Sequence, residues 1–168
     1  MARRLTETTV KLIRDHIRTN IGSVISSIES ELTEKRTSFE VPRQYFFIEQ
    51  QSIYQTPAVF IVPSGIDFQK SERKPNFINA NVNIQCTVVV EDKDVDLLAI
   101  KGFRYMAALQ EVLDQVELVS TDGDVKIVVK VVDAAFSPVY TASDKGSTRA
   151  DFRHEVSLSL EVNHWEQV

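Results

Sequence analysis

The longest alternating stretch of the chain runs from Asn76 to Glu91. Every second position in it is apolar: Ile78, Ala80, Val82, Ile84, Cys86, Val88 and Val90. The positions between them are mostly amides and hydroxyls, and only Val89 breaks the pattern. Because successive strand side chains point to opposite faces, the pattern predicts a strand with one buried face and one face that meets water or a partner. At ~3.3 Å per residue the strand would be roughly 50 Å long, which predicts a bulge or bend along it.

Four further segments are typical of strands. The stretch from Arg149 to about Asn163 repeats the long alternation near the end of the chain, so we expect the two long strands to share one antiparallel sheet. Alternating valines and isoleucine at 125–131 predict another strand. The apolar run Ala58–Val62 lies between two prolines and predicts a strand buried on both faces. Tyr45–Ile48 is compatible with a short strand.

Two segments have the period of an amphipathic helix. Thr6–Lys35 carries an apolar residue every three or four positions, and Gly22 within it favours a kink or break. Val95–Leu118 has a similar stripe, to which we assign Met106 and Phe103 as core residues. Asp94 precedes this helix and is a suitable cap, and Gly102 on the stripe would allow a close approach to the sheet.

These elements predict an α+β fold, a mainly antiparallel sheet with long strands and two helices packed on one face. The whole chain, residues 1–168, is expected to form a single domain. Thr121–Asp124 is typical of a turn, and the polar stretches Ser64–Pro75 and Thr141–Thr148 are predicted to be long loops. Residues 133–140 are interpreted as an irregular continuation of the preceding strand.

The composition argues against several classes of protein. The net charge of −5 argues against a protein that coats nucleic acid through charge alone. The chain has one cysteine, Cys86, so no internal disulfide can form and a reducing cytosol is expected. No apolar run approaches the ~18 residues of a membrane helix, and the basic N-terminal residues lack the apolar core of a signal peptide.

No motif indicates catalysis or cofactor binding. His16, His154 and His164 fall on different predicted elements, and the sequence contains no CxxC or HExxH spacing for a metal. A nucleophile elbow and a glycine-rich phosphate loop are also missing from the sequence. We therefore expect no catalytic, cofactor-binding or metal-binding residue, and a protein that is not an enzyme.

The layout of the chain resembles one known family. The segments PAVFIVP, NFINANVNIQCTVVVED running into DVDLLAIKGFRYMAALQEVL, and RADFRHEVSLSLEV together resemble the tail terminator, or tail completion, proteins of tailed bacteriophages. The resemblance covers nearly the whole chain and lies in the order and pattern of the elements. It implies a small α+β subunit of a hexameric ring. Such a ring caps the tail tube, stops its polymerisation and joins the tail to the head connector.

The resemblance implies partners and a location. The partners would be other copies of the chain, the tail tube protein and a head connector or stopper protein, with no membrane involved. DNA would pass through the ring without specific binding. The protein would assemble in the host cytoplasm and end in the neck region of the virion tail. The alternatives are another neck or tail component, such as a stopper or minor tail protein, or a small-molecule enzyme with a pocket between sheet and helices.

Two sets of charged residues become candidate sites in such a ring. The candidate subunit or tube interface consists of cations in or beside the long loops: Lys70, Arg73, Lys74, Lys145 and Arg149. The lumen should present neutral or acidic side chains, because like charge prevents tight phosphate binding. The candidate acidic surface of the lumen is a quartet where the first long strand meets the second helix: Glu91, Asp92, Asp94 and Asp96.

Overall fold

The computed structural model describes residues 2–32, 39–48, 55–69, 77–142 and 151–167. These ranges contain two helices and seven strands. In chain order they are α1 (Ala2–Glu31), β1 (Gln44–Phe46), β2 (Ala58–Gln69), β3 (Phe77–Asp92), α2 (Val95–Leu113), β4 (Glu117–Val119), β5 (Val125–Phe136), β6 (Tyr140–Ala142) and β7 (Asp151–Gln167).

All seven strands form one sheet in the order β1-β2-β3-β7-β5-β4, with β6 paired to β7 beyond the end of β5. Every pair is antiparallel except β1 with β2, which is parallel. The two long alternating strands, β3 and β7, are neighbours at the centre of the sheet. The predicted α+β fold with a mainly antiparallel sheet is confirmed.

The pairing of β3 with β7 runs without a register shift from Phe77 opposite Gln167 to Asp92 opposite Phe152. The predicted irregularity therefore does not lie on β3. It lies on the flanking strands instead, between Pro63 and Gly65 of β2 and between Val131 and Asp133 of β5. The reason is that β3 is hydrogen-bonded on both sides, whereas bulges are over-represented toward the edges of sheets.

Part of the polar stretch predicted as a loop is strand. Residues 64–69 continue β2 and pair with β3 as far as Gln69 opposite Asn79. The long neighbouring strand satisfies their backbone groups, and this pairing overrides the polar composition of the segment. The rest of that stretch, 70–75, and the second predicted loop from 143 onward lie outside the described residues.

The helix boundaries also differ from the prediction. α2 ends at Leu113 rather than Leu118, because 117–119 pair with β5 across the tight turn predicted at 121–124. Gln115, with φ at 55°, turns the chain between the helix and β4. α1 continues through Gly22 without a break. The predicted cap of α2 is confirmed, since Asp94 accepts hydrogen bonds from the backbone nitrogens of Asp96 at 2.9 Å and Leu97 at 3.3 Å.

Both helices pack on one face of the sheet and against each other. The alternate apolar residues of the central strands are fully buried beneath them, as at Val82 and Leu158, which are each 0% exposed. From α1 the core receives the predicted isoleucine stripe, including Ile13 and Ile17. Neither helix, in the part of the chain described, is long and apolar enough to cross a bilayer.

The predicted close approach at Gly102 is confirmed. A Cβ there would lie 2.6 Å from His154 Cδ2 and 3.1 Å from Val156 Cγ2. On α1, a Cβ at Gly22 would meet only ordinary contacts, the nearest being Val41 Cγ2 at 3.7 Å. An added methyl group would therefore clash with β7 at Gly102 but would be accommodated at Gly22.

We expect Gly102→Ala to destabilise the protein, because overpacking costs about 1–3 kcal/mol and exceeds the helix-propensity gain of about 1 kcal/mol. The matched change Gly22→Ala should raise the free energy of unfolding by up to about 1 kcal/mol. Urea unfolding of both variants measures the difference. Equal effects of the same sign would contradict the packing of α2 on β7.

Val82 and Asn83 are neighbours on β3 whose side chains point to opposite faces. We expect Val82→Asp to prevent folding, because an unpaired charge in the core costs several kcal/mol against a total stability of about 5–15 kcal/mol. Asn83→Asp should leave the fold intact, since Asn83 is exposed. Circular dichroism and thermal melting of the two variants separate these outcomes, and a normally folded Val82→Asp protein would invert the assigned faces.

Candidate assembly interface

The centre of the sheet is polar on the side away from the helices. We call this surface the polar face and define it by the outward residues of the two central strands. On β3 and β7 respectively these are Asn79, Asn81, Asn83, Gln85 and Thr87, and Ser157, Ser159, Glu161, Asn163 and Trp165. They stand opposite one another in register, and three of the five cross-strand pairs join amides or hydroxyls; the other two are Asn79 with Trp165 and Asn83 with Glu161. Glu161 is the only formally charged member of the set.

The polar face is only partly satisfied by its own hydrogen bonds. Thr87 Oγ1 and Ser157 Oγ lie 2.8 Å apart, and Asn79 Nδ2 donates to Gln69 Oε1 at 3.1 Å. The Oδ1 atoms of Asn79 and Asn81 are shielded from solvent and accept no hydrogen bond from the described residues. Most shielded polar atoms in folded proteins have a partner. Because both oxygens are already shielded in the single chain, they do not by themselves offer acceptors to a neighbouring molecule.

The acidic quartet does not act as one surface. Glu91 lies at the end of the polar face, where Arg153 Nε donates to its Oε1 at 2.7 Å and Thr56 Oγ1 donates to its Oε2 at 3.3 Å. Asp92 points to the opposite side and is ion-paired with Lys101 of α2. Burial would raise the pKa of Asp92, but hydrogen bonds from Lys101 and the Asp94 main chain outweigh it and hold the pKa below its ordinary value.

The other two carboxylates of the quartet are exposed at the start of α2. Asp94 caps the helix and Asp96 lies in its first turn, where a negative charge is favourable beside the positive end of the helix dipole. Only these two of the four therefore carry charge that no described cation neutralises through an ion pair. The five cations of the other candidate interface, Lys70, Arg73, Lys74, Lys145 and Arg149, lie outside the described residues.

A second surface, not predicted from the sequence, lies at the far border of the sheet. Phe103, assigned above to the core, is 58% exposed, and its ring meets Phe136 edge to face at 5.3 Å between centroids. Phe136 is 46% exposed and stacks on His154 at 6.0 Å. Val132, Val139 and Tyr140 are also exposed, but Tyr140 faces the other side of the sheet, where its hydroxyl donates to Glu155 Oε1. We call the ring pair of Phe103 and Phe136 the aromatic border.

The signal for the aromatic border was present in the sequence. Residues 131–136, VVDAAF, keep their apolar character past the point where strict alternation stops. The bulge between Val131 and Asp133 shifts the phase of the alternation, so the pattern predicts an irregular segment at 133–140, although 133–136 belong to β5. Exposed apolar surface such as these two rings provide is often found at interaction sites.

Two histidines are buried where the helices meet β7. His164 is 0% exposed, and its Nδ1 lies 2.9 Å from Thr9 Oγ1, whose own hydroxyl donates to the Leu5 carbonyl. The imidazole Nδ1 must then be the donor, and this bond ties α1 to the end of β7. Burial lowers the pKa of His164, against the opposing effect of Glu166, whose Oε2 lies 3.6 Å from Nε2. Burial likewise lowers the pKa of His154, opposed by the Ser137 main chain and Glu155.

A small polar cavity of about 60 Å³ lies beside the end of β3 and is lined partly by Glu91, Lys101 and Tyr105. An open groove of about 500 Å³, lined partly by Glu40 and Arg43, adjoins it. Two of the charged groups that line the cavity are already ion-paired, Glu91 with Arg153 and Lys101 with Asp92, and Glu40 is the third charged group there. These pairs fasten the end of β3 to β7 and to α2.

No protein-family model and no curated protein matches the chain. Among solved structures, a chain from the virion of a native gene transfer agent particle is 10% identical, with 93% of each chain covered and a TM-score of 0.45. A second solved chain, whose name states no function, is 15% identical over 89% of this chain and 94% of its own, with a TM-score of 0.35. At these TM-scores the likeness carries no argument about family or function.

The buried histidines predict a loss of stability in mild acid. Their folded-state pKa values lie below the ordinary 6.5, so the unfolded chain binds more protons as the pH falls through 6.5. The free energy of unfolding should therefore be highest above this pH and fall between about pH 7.5 and about pH 5.5. Urea unfolding should give a smaller fall for the His154→Gln/His164→Gln variant than for the wild type. An equal fall in both proteins would contradict the assignment of the acid destabilisation to these two histidines.

Proposed function

We propose that this chain is a structural subunit of a phage tail terminator ring, in which the polar face lines the central channel. The observation that supports the proposal best is the nearly neutral composition of that face, with amides, hydroxyls and Trp165 along two long strands and one carboxylate, Glu161. On the same side, the flanking strands add Lys130 and Asp67, one charge of each sign, and Lys126, which is paired with Glu117. Cationic walls would hold DNA phosphates, whereas a neutral or weakly acidic wall lets the duplex pass. The layout of the elements, which resembles that of tail terminator proteins, supports the same function.

The central strands would give the wall its rigidity. β3 spans 16 residues, and at ~3.3 Å per residue the wall would be about 50 Å long. Its pairing with β7 is uninterrupted, and the helices brace the other face of the sheet. A stiff wall of this kind suits a ring that must present a fixed end to a tube, and assembly would leave the helices on the outside.

The charged residues would then have separate roles in the ring. We place the acidic quartet at one rim of the channel, with Asp94 and Asp96 supplying the net negative charge because Glu91 and Asp92 are ion-paired. The candidate cations, Lys70, Arg73, Lys74, Lys145 and Arg149, would contact a neighbouring subunit or the tail tube protein. On this proposal the ring is hexameric, stops tube polymerisation and joins the tail to the head connector or stopper protein in the virion neck.

Cationic substitutions on the polar face test the channel. We expect the wild-type protein to form rings in negative-stain images and to bind duplex DNA weakly at physiological salt. The variant Asn81→Lys/Asn83→Lys/Gln85→Lys should bind duplex DNA, with a salt slope of log K steeper by up to about 3, since each phosphate contact contributes about 0.9. Fluorescence anisotropy with labelled duplex at several salt concentrations measures both quantities.

The matched control carries three lysines at exposed positions of the helices, Ser23→Lys, Ser27→Lys and Gln110→Lys. It has the same net charge but should bind DNA more weakly than the polar-face variant, because its cations lie outside the channel. Equal binding by the two variants would contradict a channel lined by the polar face. Tight, salt-sensitive binding by the wild type would contradict the proposed passage of DNA.

A further inference from the structure

Within the described residues, the long flanking strands β2 and β5 each have an open stretch of edge, in addition to the outer edges of the short strands β1, β4 and β6. β1 covers β2 only at Ala58–Phe60, which leaves Ile61–Gln69 paired on one side, with β3. β4 covers β5 only at Lys126–Val128, and beyond Val131 the strand pairs on one side, with β7. A strand edge that is paired on one side can be a template for another chain. On β5, however, Val131 N donates to Asp114 Oδ1 at 3.4 Å and Ala134 N to Asp133 Oδ1 at 2.8 Å, so an added strand must displace these two carboxylates. On β2, Pro63 has no N–H to donate. The two edges lie at opposite borders of the same sheet.

We propose that the open edge of β5 in one copy of the chain pairs with the open edge of β2 in the next copy. Within one subunit the strands β2, β3, β7 and β5 alternate in direction, so β2 and β5 run antiparallel. A second copy held in the same orientation therefore continues the antiparallel sheet. The contact joins two different surfaces, and contacts of that kind close into rings when the rotation allows it.

One register of this contact satisfies both bulges. Pairing Lys130 with Asp67 of the next copy places Val131 opposite Ile66 and Phe136 opposite Ile61. Each strand has one extra residue, Val132 on β5 and Ser64 on β2. Both then lie within the paired window, which we define as residues 130–136 of β5 and 61–67 of β2. Helix-side residues stay opposite helix-side residues along the whole window. A slip by one residue would place every side chain on the wrong face.

The bulges also limit which strands can pair with these edges. A bulge bends an edge strand and makes it a poor template for a straight strand. A second edge strand that has its own bulge at the corresponding position can pair with it. Each window is also bounded by the short strand that covers the rest of its edge, β1 in one copy and β4 in the other.

The charges at this contact are complementary. Lys130 and Asp67 are both exposed, and neither forms an ion pair with another of the described residues. Opposite charges at directly paired positions fix register and partner choice more than they add affinity. On the helix side, Phe136 is 46% exposed in the single chain and would lie opposite Ile61 of the next copy, whose own side chain is already buried in that copy.

A cysteine pair tests the contact. In the proposed register Ala135 of one copy lies opposite Val62 of the next, and the only native thiol, Cys86, is buried. Oxidation of the Ala135→Cys/Val62→Cys variant should give a ladder of covalent oligomers that ends at one closed size on non-reducing gels. Each single-cysteine variant should give no ladder. A covalent dimer from Ala135→Cys alone, in the amount the double variant forms, would overturn the proposal, because it indicates two β5 edges paired with each other.

Charge reversal tests the register. Lys130→Asp and Asp67→Lys should each raise the midpoint concentration of assembly several-fold in sedimentation velocity, and the double swap should restore it. The control Arg18→Asp, on the exposed face of α1, should leave the midpoint unchanged. No rescue by the swap would overturn the register.

The inference deepens the proposed ring, and the two can fail separately. If the wild type forms rings but the cysteine pair gives no ladder, the ring stands and this contact is wrong. If the ladder grows without closing and no rings are seen, the contact stands and the ring fails. If neither rings nor a ladder forms, both are wrong.

Discussion

The pairing of β3 with β7 is the constraint on which the rest of the structure depends. Each strand alternates over its full length, so only even shifts of register keep all the apolar side chains on one face. The uninterrupted ladder from Phe77 opposite Gln167 to Asp92 opposite Phe152 sets that register once for the whole sheet. The helices then have one continuous apolar surface to cover, and the opposite surface is left to amides and hydroxyls. The irregular positions move outward to β2 and β5, where a bulge costs fewer paired groups.

The connection between this sheet and the helices depends on two histidines of β7. His154 lies where α2 comes closest, and that approach requires the missing side chain of Gly102. His164 is hydrogen-bonded to Thr9, so the start of α1 is held at the other end of the same strand. Both imidazoles are buried on the helix side, and burial disfavours their charged forms. The alternating pattern alone places His154 on the apolar side, whereas His164 lies just beyond the predicted strand. Which helix each imidazole contacts depends on how the helices cross the strand.

Sequence reasoning succeeded where the signal is periodic and local. The two long strands, the cap at Asp94 and the close approach at Gly102 were all predicted from neighbouring residues. It failed where a distant strand decides the outcome: 64–69 are polar but pair with β3, and 117–119 leave the helical pattern to pair with β5. The candidate sites likewise divide into features that local alternation predicts and features that depend on distant contacts. The polar face follows from alternation, whereas the ion pairs of Glu91 and Asp92, and the exposure of Phe103, depend on tertiary contacts with Arg153, Lys101 and Phe136.

In the proposed ring, the polar face of the sheet lines the channel and the edges of the sheet join the subunits. A face that lets DNA pass must avoid strong contacts, so it cannot also supply the energy that holds subunits together. Edge pairing resolves this conflict, because backbone hydrogen bonds lie in the plane of the sheet and leave the polar face unchanged. The exposed apolar residues are placed consistently with this separation, since Phe136 lies at an edge and on the helix side. Substitutions on the polar face should therefore alter passage without altering assembly. Lys130 and Asp67 point to the same side, beside Glu161 and Asn81, and their substitution should alter assembly most.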